Sequence, residues 1–295
     1  MNCSHHSEIE SLARALVEGA CRELYLTPKP GLVDLSDNGS HPDLSVPIME
    51  HSIGIVGEYL EEIVQSLQRN EPFPEQKASA IRAEERLYRE LGSNTHKGYI
   101  FLSGMLLIAH HRAETTAEGP VRKSLAAISR SFFESSGNKQ THGEKVRKQF
   151  GTGGIVMEAI NGYPSLFEEA LPIFRETLCR RACEKLASFA MLGRLMQTVD
   201  DTTTLHRAGP SGLARVRQDG RILEQLIADD KEFIPFLEST NLDYIQSNIT
   251  IGGIADMLGL AFACLIINEQ SRPKGQLSTD SSPHADNPNT VTVGL

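Results

Sequence analysis

The sequence contains no tryptophan, and aromatic residues make up only 6% of its 295 residues. Basic residues are also scarce, with 29 lysines and arginines against 38 acids, which gives a net charge of −9. The basic residues are scattered and form no stripe, so the chain lacks the electrostatic footprint of a protein that binds long nucleic acid. A small polyanion held by a few local cations remains compatible with this composition.

The sequence also lacks an uninterrupted apolar run long enough to span a bilayer. Residues 1–9 lack the basic and then apolar layout of a secretion signal. We therefore expect a cytoplasmic protein with no membrane partner. The five cysteines include no C-x-x-C pair, and we expect Cys179 and Cys183, one helical turn apart, to be core thiols in a reducing compartment.

No segment shows the alternating pattern of a half-buried strand, whereas apolar residues recur at helical spacing along most of the chain. The pattern predicts an all-α fold of about ten helices in one domain, with the polar motifs at helix ends on one side. Monomer and homodimer both stay open. We expect residues 178–196 and 229–237 to be helices and 69–76 a connector. The predicted domain organisation is a flexible N-terminus (1–7), an all-helical domain (8–268) and a disordered tail without apolar anchors (269–295).

The first polar motif follows the first predicted helix. The segment Thr27-Pro-Lys-Pro-Gly31 ends that helix because its prolines remove backbone donors. A long irregular stretch with Asp34 and His41 comes next. A loop of this length in a compact domain is usually functional or disordered, and its apolar anchors disfavour disorder. We interpret it as a binding loop that includes Lys29, with a plain connector as the alternative.

A second polar cluster, Asn94-Thr95-His96-Lys97-Gly98, runs directly into an apolar helix. Asn94 or Thr95 can cap this helix, which leaves free backbone N–H groups and the positive end of the helix dipole beside His96 and Lys97. Such a helix start binds anions. The alternative is an ordinary capped helix with a solvated histidine and lysine.

A third cluster extends from His142 to Glu158 and is rich in glycine. Gly151, Gly153 and Gly154 permit close approach of the backbone to a ligand. The turn lacks the Gly-Lys-Ser or Gly-Lys-Thr ending of a P-loop and follows no predicted strand. Taken alone, it is weak evidence for phosphate binding.

Two more clusters complete the set of polar helix ends. Asp200 and Asp201, followed by threonines and Arg207, could bind a divalent cation and its phosphate ligand, or the two carboxylates could simply cap a helix. The last predicted helix opens with a glycine pair and an aspartate, namely Gly252, Gly253 and Asp256.

Together these motifs resemble those of the triphosphoribosyl-dephospho-CoA synthase family, all-helical enzymes that make the precursor of the prosthetic group of citrate lyase and malonate decarboxylase. The most specific matches are Thr27-Pro-Lys-Pro-Gly-Leu-Val-Asp34 and Asn94-Thr-His-Lys-Gly98. The other three clusters match in part. The similarity covers roughly residues 8–268.

The chain departs from the family pattern in two motifs. The third usually reads Gly-Ala-Arg-Gly-Glu-Ala, whereas residues 153–159 contain no arginine. The fifth usually reads Ser-Pro-Gly-Gly-Ser-Ala-Asp, whereas Thr250 and Ile251 replace Ser-Pro here. These departures favour, as an alternative, a divergent relative that uses another acceptor. A further alternative is a non-catalytic nucleotide-binding protein that kept the anion sites but lost turnover. A prenyl-diphosphate enzyme is disfavoured because the chain has no second aspartate cluster.

The resemblance implies that the domain transfers the triphosphoribosyl group of ATP to the 2′-hydroxyl of 3′-dephospho-CoA and releases adenine. Substitution at the anomeric carbon passes through an oxocarbenium-like transition state, so such a site needs positive charge at the triphosphate and negative charge near the sugar. On this hypothesis the base is Asp34 or Glu158, and the acid that protonates adenine is His41 or His142. The expected phosphate contacts are Lys29, His96, Lys97 and Arg207, and the expected Mg²⁺ ligands are Asp200 and Asp201. Further substrate contacts are expected from Asn94, Thr95, Gly98, Gly252, Gly253 and Asp256.

Overall fold

The computed structural model describes residues 3–93, 95–135 and 152–270, and these ranges contain eleven α-helices and no strand. The predicted all-α fold is therefore confirmed. The helices are α1 (Cys3–Tyr25), α2 (Val46–Gln68), α3 (Phe73–Leu91), α4 (Lys97–Ala113), α5 (Glu118–Ser135), α6 (Gly154–Ile160), α7 (Leu171–Arg181), α8 (Glu184–Thr198), α9 (Thr202–Ala228), α10 (Ile234–Gln246) and α11 (Gly252–Gln270). A π-helical turn, Ser165–Ala170, leads directly into α7.

The first and last helices run antiparallel and form the centre of the core. Gly19 of α1 lies so close to α11 that a Cβ atom there would be 2.3 Å from the carbonyl oxygen of Gly259. At the other end of the pair, Ile267 lies beside Ile9 and Leu12. The end of α1 therefore lies next to the start of α11, which brings the first and last polar motifs together.

Helix α11 is unusually apolar. Within the described ranges it is the one helix that is long and apolar enough, by length and composition, to cross a membrane. The sequence analysis found no such run because Asp256 and Glu269 interrupt it. In the folded chain 61% of the window Gly252–Glu269 is buried inside the protein, so packing in the core accounts for the apolar composition.

Both ends of the helical domain extend beyond the predicted limits. Helix α1 begins at Cys3 and includes residues 3–7, which we had assigned to a flexible N-terminus. No proline or glycine in that segment interrupts the helix. Helix α11 continues to Gln270, two residues into the predicted tail. Residues 271–295 lie outside the described residues.

Three internal boundaries also differ from the prediction. Helix α3 starts at Phe73, inside the predicted connector, because a proline is well tolerated in the first turn of a helix. The predicted helix 178–196 is two helices, separated where Ala182 adopts a φ of 49°. This break places Cys179 and Cys183 on different segments, and both are exposed, so their assignment to the core was wrong. Helix α10 lies later in the chain than the predicted 229–237.

The close approach of α1 and α11 makes a stability prediction. Gly19→Ala should lower the free energy of unfolding by about 1–3 kcal/mol, because the added methyl group has no room between the two helices. Gly54→Ala in α2 is the matched control, since a Cβ atom there would meet nothing within 4 Å. It should raise the stability by about 0.5–1 kcal/mol through helix propensity. Urea unfolding measures the change in the free energy of unfolding for each variant. Equal changes in the two variants would contradict the packing argument.

Candidate active site

Residues from three of the five motifs line one enclosed cavity. It lies between the end of α1, the loop that follows α1, and the starts of α4 and α11. Its polar lining consists of Glu23, His41, Thr95, His96 and Asp256, with the backbone of Gly252 beside them. The cavity holds about 60 Å³, well below the roughly 300–1,000 Å³ of most ligand pockets. A ligand as large as a nucleotide would fit only if the walls of the cavity moved apart.

A larger groove lies elsewhere, between α1 and α2. It has a volume of about 860 Å³, and its rim includes Glu10, Glu18, Glu58 and Glu61. Arg14 also lines the groove, and none of its lining residues belongs to the five motifs. The enclosed cavity is therefore the candidate site, although the groove is larger.

Asp201 joins the starts of two helices. Its Oδ1 accepts the backbone N–H groups of Thr203 and Thr204, at 2.8 and 2.9 Å, and so caps α9. Its Oδ2 accepts the N–H of Ile254 at 2.9 Å, in the first turn of α11. A Cβ atom on Gly253 would lie 3.2 Å from this carboxylate. The side chain is almost fully buried, and it fixes the position of α11 relative to α9.

Asp256 makes a similar connection from α11 to α4. It accepts a hydrogen bond from the backbone N–H of Tyr99, in the first turn of α4. A Cβ atom on Gly98 would lie only 2.0 Å from Asp256 Oδ2, so glycine is needed there for the carboxylate to approach the helix. Burial raises the pKa of Asp256 well above its ordinary value, and the charges of Asp201 and Glu23 raise it further.

Lys29 does not line the cavity. Its Nζ donates to the carbonyl oxygens of Glu23 and Leu24, at the end of α1, and forms an ion pair with Glu23 Oε1 at 3.1 Å. These contacts use the donors of a side chain that is fully buried. The expected contact of Lys29 with phosphate is therefore revised to a structural one. Burial raises the pKa of Glu23, and the charge of Lys29 opposes that rise.

Asp34 holds the loop after α1 and has no carboxylate oxygen left without a partner. Its Oδ2 accepts the N–H of Lys29 at 2.7 Å, and its Oδ1 accepts the N–H groups of Ser36 and Asp37. Asn241 of α10 anchors the same loop through the N–H of Gly31 at 2.8 Å. This arrangement fits a loop-forming residue better than the base expected from the sequence.

His41 lies at the cavity wall between two other motifs. Its Nε2 is 2.7 Å from Thr250 Oγ1, and its Nδ1 is 3.4 Å from Arg207 Nη2. Burial lowers the pKa of His41 to about 4, and the charge of Arg207 contributes to the decrease. The guanidinium of Arg207 donates to the carbonyl oxygen of Ser40 at 2.8 Å. Arg207 thus positions the His41 loop and is not itself part of the cavity lining.

His96 is buried at the start of α4, and its ring forms part of the cavity wall. Its Nδ1 lies 2.6 Å from the hydroxyl oxygen of Ser52, and the same oxygen lies 2.6 Å from the hydroxyl of Thr95. Burial lowers the pKa of His96 to about 4, so the ring is neutral at neutral pH. The side chain is therefore suited to exchange a proton and not to carry a fixed positive charge.

Several other predicted site residues lie away from the cavity lining. Lys97 forms an ion pair with Glu84 of α3 at 2.6 Å, because it starts α4 on the side that faces α3. Glu158 accepts hydrogen bonds from the hydroxyl and the backbone N–H of Ser165, at 2.6 and 3.2 Å, and so ties α6 to the π-helical turn. Asn94 and His142 lie outside the described residues.

The expected magnesium ligands do not fit a metal site. Both oxygens of Asp201 accept backbone N–H groups, and Asp200 is paired with Arg217 at 2.5 Å. The described part of the chain contains no group of three or more histidines, cysteines, aspartates or glutamates placed to hold a metal ion. The alternative in which these carboxylates cap a helix describes Asp201, and Asp200 is a partly exposed ion-pair residue.

Sequence reasoning missed two residues, Glu23 and Ser52. Glu23 lies in the last turns of α1, next to the fully buried Leu24, and Ser52 lies on α2 beside the buried Ile53. Both are polar positions within an apolar helical stripe. A buried polar residue of this kind requires a partner, and this was the signal that could have identified them.

The described residues form an all-helical protein with a cavity that combines neutral histidines, carboxyl groups and two helix starts. Comparison with protein families narrows this class. The family model described as CitG, ATP:dephospho-CoA triphosphoribosyl transferase, matches residues 9–274. The chain belongs to this family, and ATP and dephospho-CoA are its substrates.

Curated relatives agree with this assignment. A probable 2-(5″-triphosphoribosyl)-3′-dephosphocoenzyme-A synthase of Streptococcus equi subsp. zooepidemicus is 30% identical, over 88% of this chain and 98% of its own length. Proteins of the same name from Pseudomonas putida and Pseudomonas paraeruginosa are 28% and 30% identical over 88% of this chain, and over 94% and 90% of their own lengths. No solved structure matches the chain.

The cap shared by α9 and α11 predicts unequal effects at two neighbouring aspartates. Asp201→Asn should lower the free energy of unfolding by about 1–3 kcal/mol, because an NH₂ group then faces backbone donors of one helix whichever way the amide turns. Asp200→Asn removes only a partly exposed ion pair and should change it by less than about 1 kcal/mol. Urea unfolding of the two variants makes the comparison. Similar losses would show that Asp201 does not have the capping role described here.

The buried neutral ring of His96 predicts a pH-dependent difference in stability. Its pKa is about 4 in the folded protein against an ordinary 6.5. Between these values the unfolded chain binds a proton that the folded chain does not, so acidification lowers the stability of the native protein through this residue. His96→Gln lacks this loss. From pH 7 to pH 4 its stability relative to the native protein should therefore rise by up to about 3 kcal/mol. Denaturant unfolding at several pH values measures the free energy of unfolding of both proteins. A difference that does not change with pH would contradict a buried neutral histidine.

Proposed function

We propose that the enclosed cavity is the place where the triphosphoribosyl group passes from ATP to the 2′-hydroxyl of 3′-dephospho-CoA. The observation that supports this proposal is the convergence of three motifs, far apart in sequence, on one cavity. The loop after α1 contributes His41, the start of α4 contributes Thr95 and His96, and the start of α11 contributes Gly252 and Asp256. Neutral histidines and carboxylates are the groups that substitution at an anomeric carbon needs.

The carboxyl groups of the cavity wall would face the ribose of ATP. Glu23 keeps a cationic partner in Lys29, which favours its charged form. A carboxylate beside the sugar stabilises the positive charge that develops on the anomeric carbon as the bond to adenine weakens. Asp256 lies on the same wall. These two residues replace Asp34 and Glu158 as the carboxylates closest to the reaction in this proposal.

The phosphates would lie at the helix starts. No lysine or arginine is among the described residues that line the cavity. The starts of α4 and α11 are both present there, and the N-terminal end of a helix attracts anions through its dipole and its free N–H groups. The positive charge that the sequence analysis assigned to Lys29, Lys97 and Arg207 would thus come from the backbone.

Magnesium would enter as the complex of Mg²⁺ with ATP. This ion usually keeps several water molecules and binds substrate phosphates with one or two carboxylates. Asp200 and Asp201 have other partners, so neither is free to hold the ion.

We also propose a cytoplasmic location, because the exposed Cys179 and Cys183 are free thiols, as expected in a reducing compartment. A homodimer remains open for this chain.

An assay of adenine release tests the proposed site. The purified protein with ATP, Mg²⁺ and dephospho-CoA should release adenine, and His96→Ala should lower the rate at least about tenfold, equivalent to roughly 1.4 kcal/mol in the barrier. His51→Ala is the matched control, because this histidine is exposed on α2 and paired with Glu90. It should stay within about twofold of the native rate.

The same assay separates the alternatives. Adenine release that depends on another nucleotide instead of dephospho-CoA would favour a divergent acceptor. ATP binding in a calorimeter without adenine release would favour a non-catalytic nucleotide-binding protein. Equal activity of His96→Ala and the native protein would reject the cavity as the transfer site.

A further inference from the structure

The hydroxyls of Thr95 and Ser52 form a continuous hydrogen-bonded chain with the ring of His96. Ser52 Oγ lies 2.6 Å from both Thr95 Oγ1 and His96 Nδ1, and Ser52 is fully buried. Both ends of the chain, Thr95 and His96, line the cavity. Within the part of the chain that the structure describes, His96 Nε2 has no hydrogen-bond partner, although the residue is only 5% exposed. Nε2 is not one of the fully buried atoms that lack a partner, so this nitrogen is available to hydrogen bond with a ligand in the cavity that His96 lines.

The chain can be arranged in two ways, because each hydroxyl has one proton. In the first, His96 Nδ1–H donates to Ser52 and Ser52 donates to Thr95. Nε2 then offers a lone pair to the cavity, and Thr95 has its own proton free to donate. In the second, Thr95 donates to Ser52 and Ser52 donates to Nδ1. Nε2 then carries a proton, and Thr95 can only accept. His96 and Thr95 therefore always offer opposite functions to a bound ligand.

We propose that Thr95, Ser52 and His96 form a proton relay that connects the acceptor hydroxyl to the departing adenine. This inference rests on the proposed function of the cavity. In this relay Thr95 is the acid that protonates adenine, a role expected from the sequence for a histidine. Ser52 passes the proton between His96 and Thr95.

The relay balances all protons of the transfer. The bond between the 2′-oxygen and the anomeric carbon forms, and the bond from that carbon to adenine breaks, with its electron pair leaving on adenine. The proton of the 2′-hydroxyl moves to Nε2 of His96, and the Nδ1 proton moves to Ser52. The proton of Ser52 moves to Thr95, and the proton of Thr95 moves to a nitrogen of adenine. Afterwards the protein carries no additional charge, and its chain is in the second arrangement. Exchange with water restores the first after the products leave.

The relay predicts that removal of the Thr95 hydroxyl slows the reaction by an amount that depends on the leaving group. Thr95→Val keeps the shape of the side chain, and it should lower adenine release from ATP at least about tenfold, as for the loss of a general acid. The triphosphate of nicotinamide riboside is the informative second substrate, because nicotinamide leaves as a neutral base and needs no proton. Its release should stay within about threefold of that by the native protein.

Matched variants control for structural damage. Thr95→Ser keeps the hydroxyl and should recover most of the adenine release that Thr95→Val loses. Ser52→Ala should resemble Thr95→Val. Ser103→Ala removes an equally buried serine of α4 that hydrogen bonds only within its own helix, and it should affect neither substrate. Equal losses of Thr95→Val with both substrates would overturn the relay and leave a structural role.

A second measurement uses ATP as the only triphosphate donor, together with dephospho-CoA. It therefore does not require the protein to accept the nicotinamide riboside triphosphate. The rate of adenine release is plotted against the fraction of D₂O in the solvent. For the native protein this plot should be curved, because several protons move together. For Thr95→Val it should be a straight line. A straight line for the native protein would also overturn the relay. Failure of the native protein to release any adenine would instead reject the proposed function.

Discussion

The site depends on one recurring interaction, a buried carboxylate that caps a helix to which it does not belong. Asp201 precedes α9 and caps both α9 and α11, while Asp256 of α11 caps α4. Four N–H groups at the start of each helix lack partners within the helix, and a buried helix start without such partners is unstable. The two aspartates provide partners for some of these N–H groups in each of three helices, and they fix the relative positions of those helices. The cavity walls lie where they do because of these two side chains.

This constraint explains why several charged side chains of the motifs bond to the protein itself and do not line the cavity. Lys29 satisfies carbonyl groups at the end of α1, Arg207 holds the loop of His41, and Glu158 bonds to Ser165. Each of these charged groups bonds to another part of the protein. The groups left to face the cavity are less conspicuous, and they include two histidines that burial keeps neutral. The cavity therefore offers neutral histidines and helix starts, and the charged side chains around it form a structural frame.

The sequence predicted the fold class well because helical periodicity is a local property. It also predicted that polar motifs meet at helix ends, and three of the five motifs contribute to the lining of one cavity. The boundaries were less accurate, since the break at Ala182 follows from a backbone angle that no glycine or proline signals. The site was predicted only in part. Motif matching identified His41, His96 and Asp256, but it could not separate residues that satisfy the protein's own backbone from residues that face a ligand. That distinction depends on contacts between distant segments, such as the contact of Lys29 with the end of α1 or of Ser52 with His96.

The shared cap at Asp201 also has a consequence for the order of folding. The hydrogen bond from Ile254 to Asp201 joins residues that are 53 positions apart. Closing such a loop is entropically unfavourable until other contacts hold its ends together. Helices α9 and α10 can form from local contacts, but the start of α11 acquires its cap only when the chain returns to residue 201. The part of the molecule that carries the cavity is thus completed after α9 and α10, because a nascent chain without residue 254 cannot form this contact.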